Sequence, residues 1–152
     1  MKQPADDTTT GLPDAGSDEH GGSMFVLLEA ARSIQERLEA TLEGVGLSSA
    51  KYQALEALVR AREPLTLSEL AGRLKCVRSN VTQLADRLEA DGLLRRVDDP
   101  ADRRSVRAVV TELGAERHAA GAEALAQLQA ELAGRVDPAE RALFLRVLSA
   151  LR

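Results

Sequence analysis

The stretch from Thr66 to Val110 limits the fold more tightly than any other part of the chain. Thr66-Leu67-Ser68-Glu69 has the spacing of a capping box, in which hydroxyl and carboxylate each satisfy the other residue's backbone N–H. A short helix should follow, with Leu70, Ala71 and Leu74 inward. After a brief turn at Lys75 and Cys76, a further helix is expected to about Asp91, with Val77, Val81, Leu84, Ala85 and Leu88 on one face and Gly92 as its C-cap. Leu93 to Val97 and Val106 to Val110 then read as short β-runs around the polar turn Asp98 to Ser105, together a hairpin.

The flanks are helical. Val26, Leu27, Ala30, Ile34, Leu38 and Leu42 recur at spacings of three and four, and Gly44 and Gly46 end that pattern. Ser48 can cap a helix carrying Leu55, Leu58 and Val59, which Pro64 stops. Thr111 can cap a long helix through Leu125, Leu128 and Leu132 to Gly134. Asp137-Pro138-Ala139-Glu140 starts the last, with Leu143, Phe144, Val147, Leu148 and Leu151. Phe25, Tyr52 and Phe144 are the only aromatic residues apart from histidine, so the core must be built of Leu, Val and Ala, which favours helices.

The fold class expected is mainly α with a small β-hairpin (α+β), in which two short helices, a tight turn and a hairpin make a winged helix-turn-helix. Residues 1–22, rich in Gly, Asp, Thr, Pro and Ser, have the composition of a disordered tail, and 23–152 should form a single domain. Within it, 47–110 is the winged helix-turn-helix.

Several function classes are disfavoured. The lone Cys76 excludes an intramolecular disulfide framework, and no signal segment opens the chain, which reads as cytoplasmic. No run approaches the length of a membrane span. Metal sensing has only His20, His118 and Cys76 to draw on, and no metal or cofactor is expected. No Gly-rich phosphate loop, HExxH or GxSxG is present, so an enzyme is not expected. The net charge of −4 argues against nucleic acid until its distribution is read. Arg60 to Arg107 holds 11 Lys/Arg against 8 Asp/Glu, a net +3, and the rest carries 9 against 16, a net −7.

On a helical wheel centred on Val81, Ser79, Gln83 and Asp86 point away from the core, with Asn80, Thr82 and Arg87 on the flanks. Gln and Asn can pair bidentately with adenine, Ser and Thr can bond several edges, and Arg reaches guanine or phosphate. Arg78, in the first helical turn, is assigned mainly to the DNA backbone. In the hairpin turn Arg103 and Arg104 are placed to enter a minor groove, with Asp102 able to hold one of them.

Leu65 to Ala71, Arg78-Ser79-Asn80-Val81-Thr82 and Asp91-Gly92-Leu93 resemble helix-turn-helix segments of the MarR family, and Asp98 to Thr111 resembles its wing. The wing run Asp99-Pro100-Ala101-Asp102-Arg103-Arg104-Ser105, leading to Leu113-Gly114, is the most specific match, and the resemblance covers roughly residues 24–150. It implies that Asp102 and Arg104 match the family's Asp-x-Arg, with Arg104 in the minor groove and Asp102 orienting it. It further implies a homodimer formed by helices in 23–44 and 111–152, bound to double-stranded DNA at a pseudo-palindromic site. The regulator so implied is a repressor, released by a small-molecule effector bound between the dimerisation helices and the DNA-binding lobe. Tyr52 and His118, rare amphipathic side chains near that junction, are candidate pocket residues, with ordinary packing as their alternative. The chain departs from the family where Val77 stands in place of a Ser cap, preceded by Cys76. Cys76, between Lys75 and Arg78, is a candidate oxidant-sensing thiol or a small core residue. The alternatives are a redox-sensing regulator and a helical dimer that binds protein rather than DNA.

Overall fold

The computed structural model describes residues 21–100, 102 and 105–150. Six helices and three strands follow in the order α1 (Gly21–Glu43), α2 (Ser49–Ala61), β1 (Leu65–Thr66), α3 (Leu67–Leu74), α4 (Arg78–Ala90), β2 (Leu94–Asp98), β3 (Val106–Val110), α5 (Glu112–Gly134) and α6 (Pro138–Ala150). The expected tail, His20 and Leu151 lie outside the described residues, apart from the tail's last two positions, which belong to α1. The chain divides into two compact units after Gln35, and each is described by itself.

In the first unit, the start of α1 leaves Met24, Phe25, Val26, Leu28 and Ile34 between 44% and 73% exposed. In the second, the core lies where α2, α3, α4 and the sheet meet, and Leu42, Leu55, Leu70, Leu88 and Leu94 are almost fully buried. An eight-residue helix such as α3 does not persist alone, because nucleation costs more than so few hydrogen bonds return. Burial of Leu67, Leu70 and Ala71 stabilises it, at roughly 1.5–3 kcal/mol for each large side chain removed from water.

Local chemistry sets the ends of these elements. Ser48 accepts from the Lys51 N–H, and Glu39 reaches from α1 to bond Ser49 through both its N–H and its hydroxyl. The capping box forms as read: Thr66 N donates to Glu69 Oε2 at 2.7 Å and Glu69 N to Thr66 Oγ1 at 3.2 Å. Thr111 caps α5 by accepting from Gly114 N at 3.0 Å. Gly92, at φ +72°, ends α4 in the left-handed conformation that suits a residue without Cβ; its N–H donates to Glu89 O and that of Leu93 to Leu88 O.

One expectation is extended and another corrected. The hairpin is part of a three-stranded antiparallel sheet ordered β1-β3-β2, because Leu65 and Thr66 pair with Ala108 and Arg107. A two-residue strand is too short to leave an alternating pattern, and its partner lies some 40 positions downstream. Val77, placed with the apolar face of α4, is 62% exposed at the N-cap position. Its extended backbone, ψ 147°, turns it off the helical wheel on which it was counted.

Candidate nucleic-acid interface

α3 ends at Lys75, which takes a left-handed conformation (φ 52°), and Cys76 N donates back to Ala71 O. This tight turn aims α4 away from α3 and leaves the first turn of α4 uncovered. Val77 gives α4 no side-chain cap, so N–H groups at its start keep their positive partial charge for an outside acceptor. Arg78, Ser79, Asn80, Gln83 and Arg87 are all exposed, while Val81, Ala85 and Leu88 beneath them are wholly buried. Thr82 is half-buried, and its hydroxyl donates to Arg78 O at 3.0 Å, leaving it only lone pairs to offer.

Asn80, Gln83 and Arg87 line a groove of about 470 Å³ with Cys76 and the start of α2, Ser49, Ala50 and Gln53. Cys76 is an exposed free thiol there, not a core residue. On the other side, Arg78 faces Asp102, Ser105 and Val106 across a cleft of about 290 Å³ floored by Thr66, Leu67 and Ser68. The fold thus brings the helix start and the wing turn together. Arg103 and Arg104 lie outside the described residues; Ser105 N, just after them, donates to Asp102 O at 2.8 Å.

The base of the wing is held by charge. Asp99 is 5% exposed, and Arg107 Nε lies 2.9 Å from its Oδ2 without the alignment of a hydrogen bond. Arg107 Nη1 donates to Pro64 O at 3.0 Å, tying β3 to the chain before β1. A buried carboxylate needs such a partner, since desolvation strongly disfavours an isolated charge. On β2, Arg96 reaches Asp86 and Glu89 of α4, and Lys51 of α2 meets Asp91 at 2.5 Å beside the carboxyl end of α4. Sequence reading passed over Arg96: its partners stand seven and ten positions earlier, spacings that mark no single element.

Tyr52 of α2 and His118 of α5 also come together. Their rings stack with centroids 5.2 Å apart and 12° between planes, and His118 Nε2 lies 2.5 Å from Glu56 Oε2. Gly121 makes the approach possible, because a Cβ there would meet Tyr52 Cδ2 at 2.9 Å. Burial, and then the Glu56 carboxylate, push the Tyr52 hydroxyl above its ordinary pKa, so it stays neutral. Among the described residues, no cluster of three or more His, Cys, Asp or Glu is arranged to hold a metal, and no helix is long and apolar enough to cross a membrane.

Two short helices, a tight turn and a three-stranded sheet carrying a hairpin define a winged helix-turn-helix protein. Residues 45–105 match the model of the MarR family. It is 36% identical over 91 residues to an uncharacterised HTH-type transcriptional regulator of Bacillus subtilis, YkoM, covering 60% of this chain and 58% of that one. The chain therefore spans little more than half the length of this curated relative. Among solved structures, AbsC, a MarR family transcriptional regulator from Streptomyces coelicolor, is 25% identical with a TM-score of 0.74, covering 89% of this chain and 93% of that one. The transcriptional regulator BldR from Sulfolobus solfataricus is 29% identical with a TM-score of 0.64, over 85% and 94%.

Proposed function

We propose that the chain is a sequence-specific double-stranded DNA-binding transcriptional regulator, acting as a homodimer on a pseudo-palindromic site. The observation that carries this is the exposed row Ser79, Asn80, Gln83 and Arg87 on a helix whose start faces the wing turn across a cleft. Amides and a guanidinium on one helix face match the donor and acceptor pattern of a major groove, which admits an α-helix. Arg78 and the uncapped start of α4 suit a phosphate. Arg104 is assigned to the minor groove, with Arg103 beside it and Asp102 orienting Arg104.

A second copy of the chain is the proposed cover for the exposed apolar residues of α1 and for Leu143, Leu145 and Val147 of α6, each more than half exposed. The regulator is proposed to be a repressor released by a small-molecule effector. Tyr52 and His118 join α2 to α5, so a ligand that parted their rings would shift the DNA-binding segment. The exposed Cys76 thiol, in the groove with Asn80, Gln83 and Arg87, supports oxidant-controlled release as a second reading. Peroxide should then weaken DNA binding reversibly, and Cys76→Ser should abolish the effect.

Selection from random duplexes tests the main reading, which predicts an enriched inverted repeat bound by a dimer in sedimentation. No enriched motif from a chain that still dimerises would favour a protein-binding module instead. Arg104→Ala should weaken binding to many sequences and reduce the salt slope by about one phosphate equivalent per subunit.

A further inference from the structure

We infer that Arg96 is a positioning residue for DNA recognition: clamped between Asp86 and Glu89, it locks the wing to α4 so that helix and hairpin meet the duplex as one body. The inference rests on the DNA-binding reading above.

The guanidinium divides between two carboxylates of the same helix. Nη2 donates to Asp86 Oδ1 at 2.5 Å and Nη1 to Glu89 Oε2 at 2.8 Å. Glu89 Oε1 also accepts from the Arg96 backbone N–H at 3.1 Å, so the strand is held by main chain as well as side chain. Asp86 and Glu89 are three apart, hence neighbours on one helix face, and the planar fork of arginine can serve both at once. Arg96 pairs in register with Ala108, which is 0% exposed at the centre of the sheet. Two residues further along β2, Asp98 leads into the wing turn.

Stability does not account for this arrangement. Ion pairs this exposed contribute little to stability, and the Asp86 and Glu89 side chains are 56% and 39% exposed. Burial of Leu88 and Leu94 already holds α4 to the sheet. That apolar contact has no direction, however, whereas diverging hydrogen bonds fix an angle. Recognition elements must be placed to within about 0.5 Å for their contacts to form together. The sign of the charges agrees. Asp86 and Glu89 are carboxylates on the helix proposed to enter a groove lined with phosphates, where charge alone makes them unfavourable. Holding Arg96, itself 25% exposed, gives them a use that offsets the repulsion.

The test uses a duplex enriched from a random pool and measures its affinity against salt. Simple electrostatics predicts that Asp86→Asn with Glu89→Gln, which removes two negative charges, binds DNA more tightly. The lock predicts the opposite, roughly tenfold weaker binding, within the coupling found inside one ionic network. Arg96→Met should weaken binding similarly with its salt slope unchanged, Arg96→Lys should recover part of the loss, and the triple variant should be no weaker than its parents. Tighter binding by the amide pair, additive losses, or a slope reduced by about one per subunit in Arg96→Met would overturn the lock, the last because Arg96 would then hold a phosphate itself. Equal binding by all variants would overturn the lock alone. A wild-type chain that enriches no duplex would overturn the DNA-binding reading and this inference with it. If Arg96→Met melts below wild type and cannot be assayed, the nearly isosteric amide pair decides the matter by itself.

Discussion

The two halves of α4 are built on opposite principles. Its amino half starts without a side-chain cap and exposes Arg78, Ser79, Asn80 and Gln83. Its carboxyl half buries Ala85 and Leu88 completely, ties Asp86 and Glu89 to β2 and closes with Gly92 in the left-handed conformation, just after Asp91, which is tied to α2. The difference teaches how a helix presents an open face without losing its direction. Groups meant for a partner cannot also bond within the protein, so rigidity has to come from the other end of the same rod.

The contrast is most easily broken by stability measurements. Leu88→Ala should cost about 2–5 kcal/mol in urea unfolding, because it opens a cavity in the anchored half. Ser79→Ala should stay within about 0.5 kcal/mol of wild type, as surface changes do. Similar losses at both positions would erase the distinction. In DNA binding the order reverses. Gln83→Ala should cost roughly 1–3 kcal/mol at particular bases of a selected duplex, with the salt slope nearly intact. If that variant kept its full sequence preference, base readout would move to Ser79, Asn80 or Thr82.

A smaller effect concerns the missing cap. Val77 already has the extended backbone of an N-cap, so Val77→Ser should stabilise the protein by about 1 kcal/mol, raising the urea midpoint at constant slope. No gain would mean that the start of α4 is already satisfied. The smallest is acid sensitivity at α3, whose end is closed where that of α4 is open. The Thr66 backbone N–H, and then its hydroxyl, hold the Glu69 carboxyl below the usual glutamate range. A depressed carboxylate contributes stability that is complete above the ordinary glutamate range and is lost as pH falls through the lower folded value. Hydrogen-exchange protection in the first turn of α3, taken relative to the intrinsic exchange rate at each pH, should fall over that acidic window in wild type and lose this dependence in Glu69→Gln.

Much of this molecule was legible in the chain. Capping residues act on backbone groups two or three positions away, so Ser48, Thr66 with Glu69, and Thr111 marked helix starts that the structure repeats. The exposed row on α4 followed from the period of Val81, Ala85 and Leu88. Val77 misled because its apolar side chain fits that period, while its cap backbone does not belong to the helix.

What the sequence determined alone is therefore whatever depends on neighbours along the chain: helix starts, polar faces, the hairpin and the concentration of positive charge between Arg60 and Arg107. The tertiary structure decided the pairing of β1 with β3, the Arg96 clamp on Asp86 and Glu89, the Arg107 contact with buried Asp99 and the stacking of Tyr52 on His118. Each of these joins residues on different elements. Their partners are selected by how the apolar faces dock, and the burial that drives docking has no direction of its own to write into a local pattern.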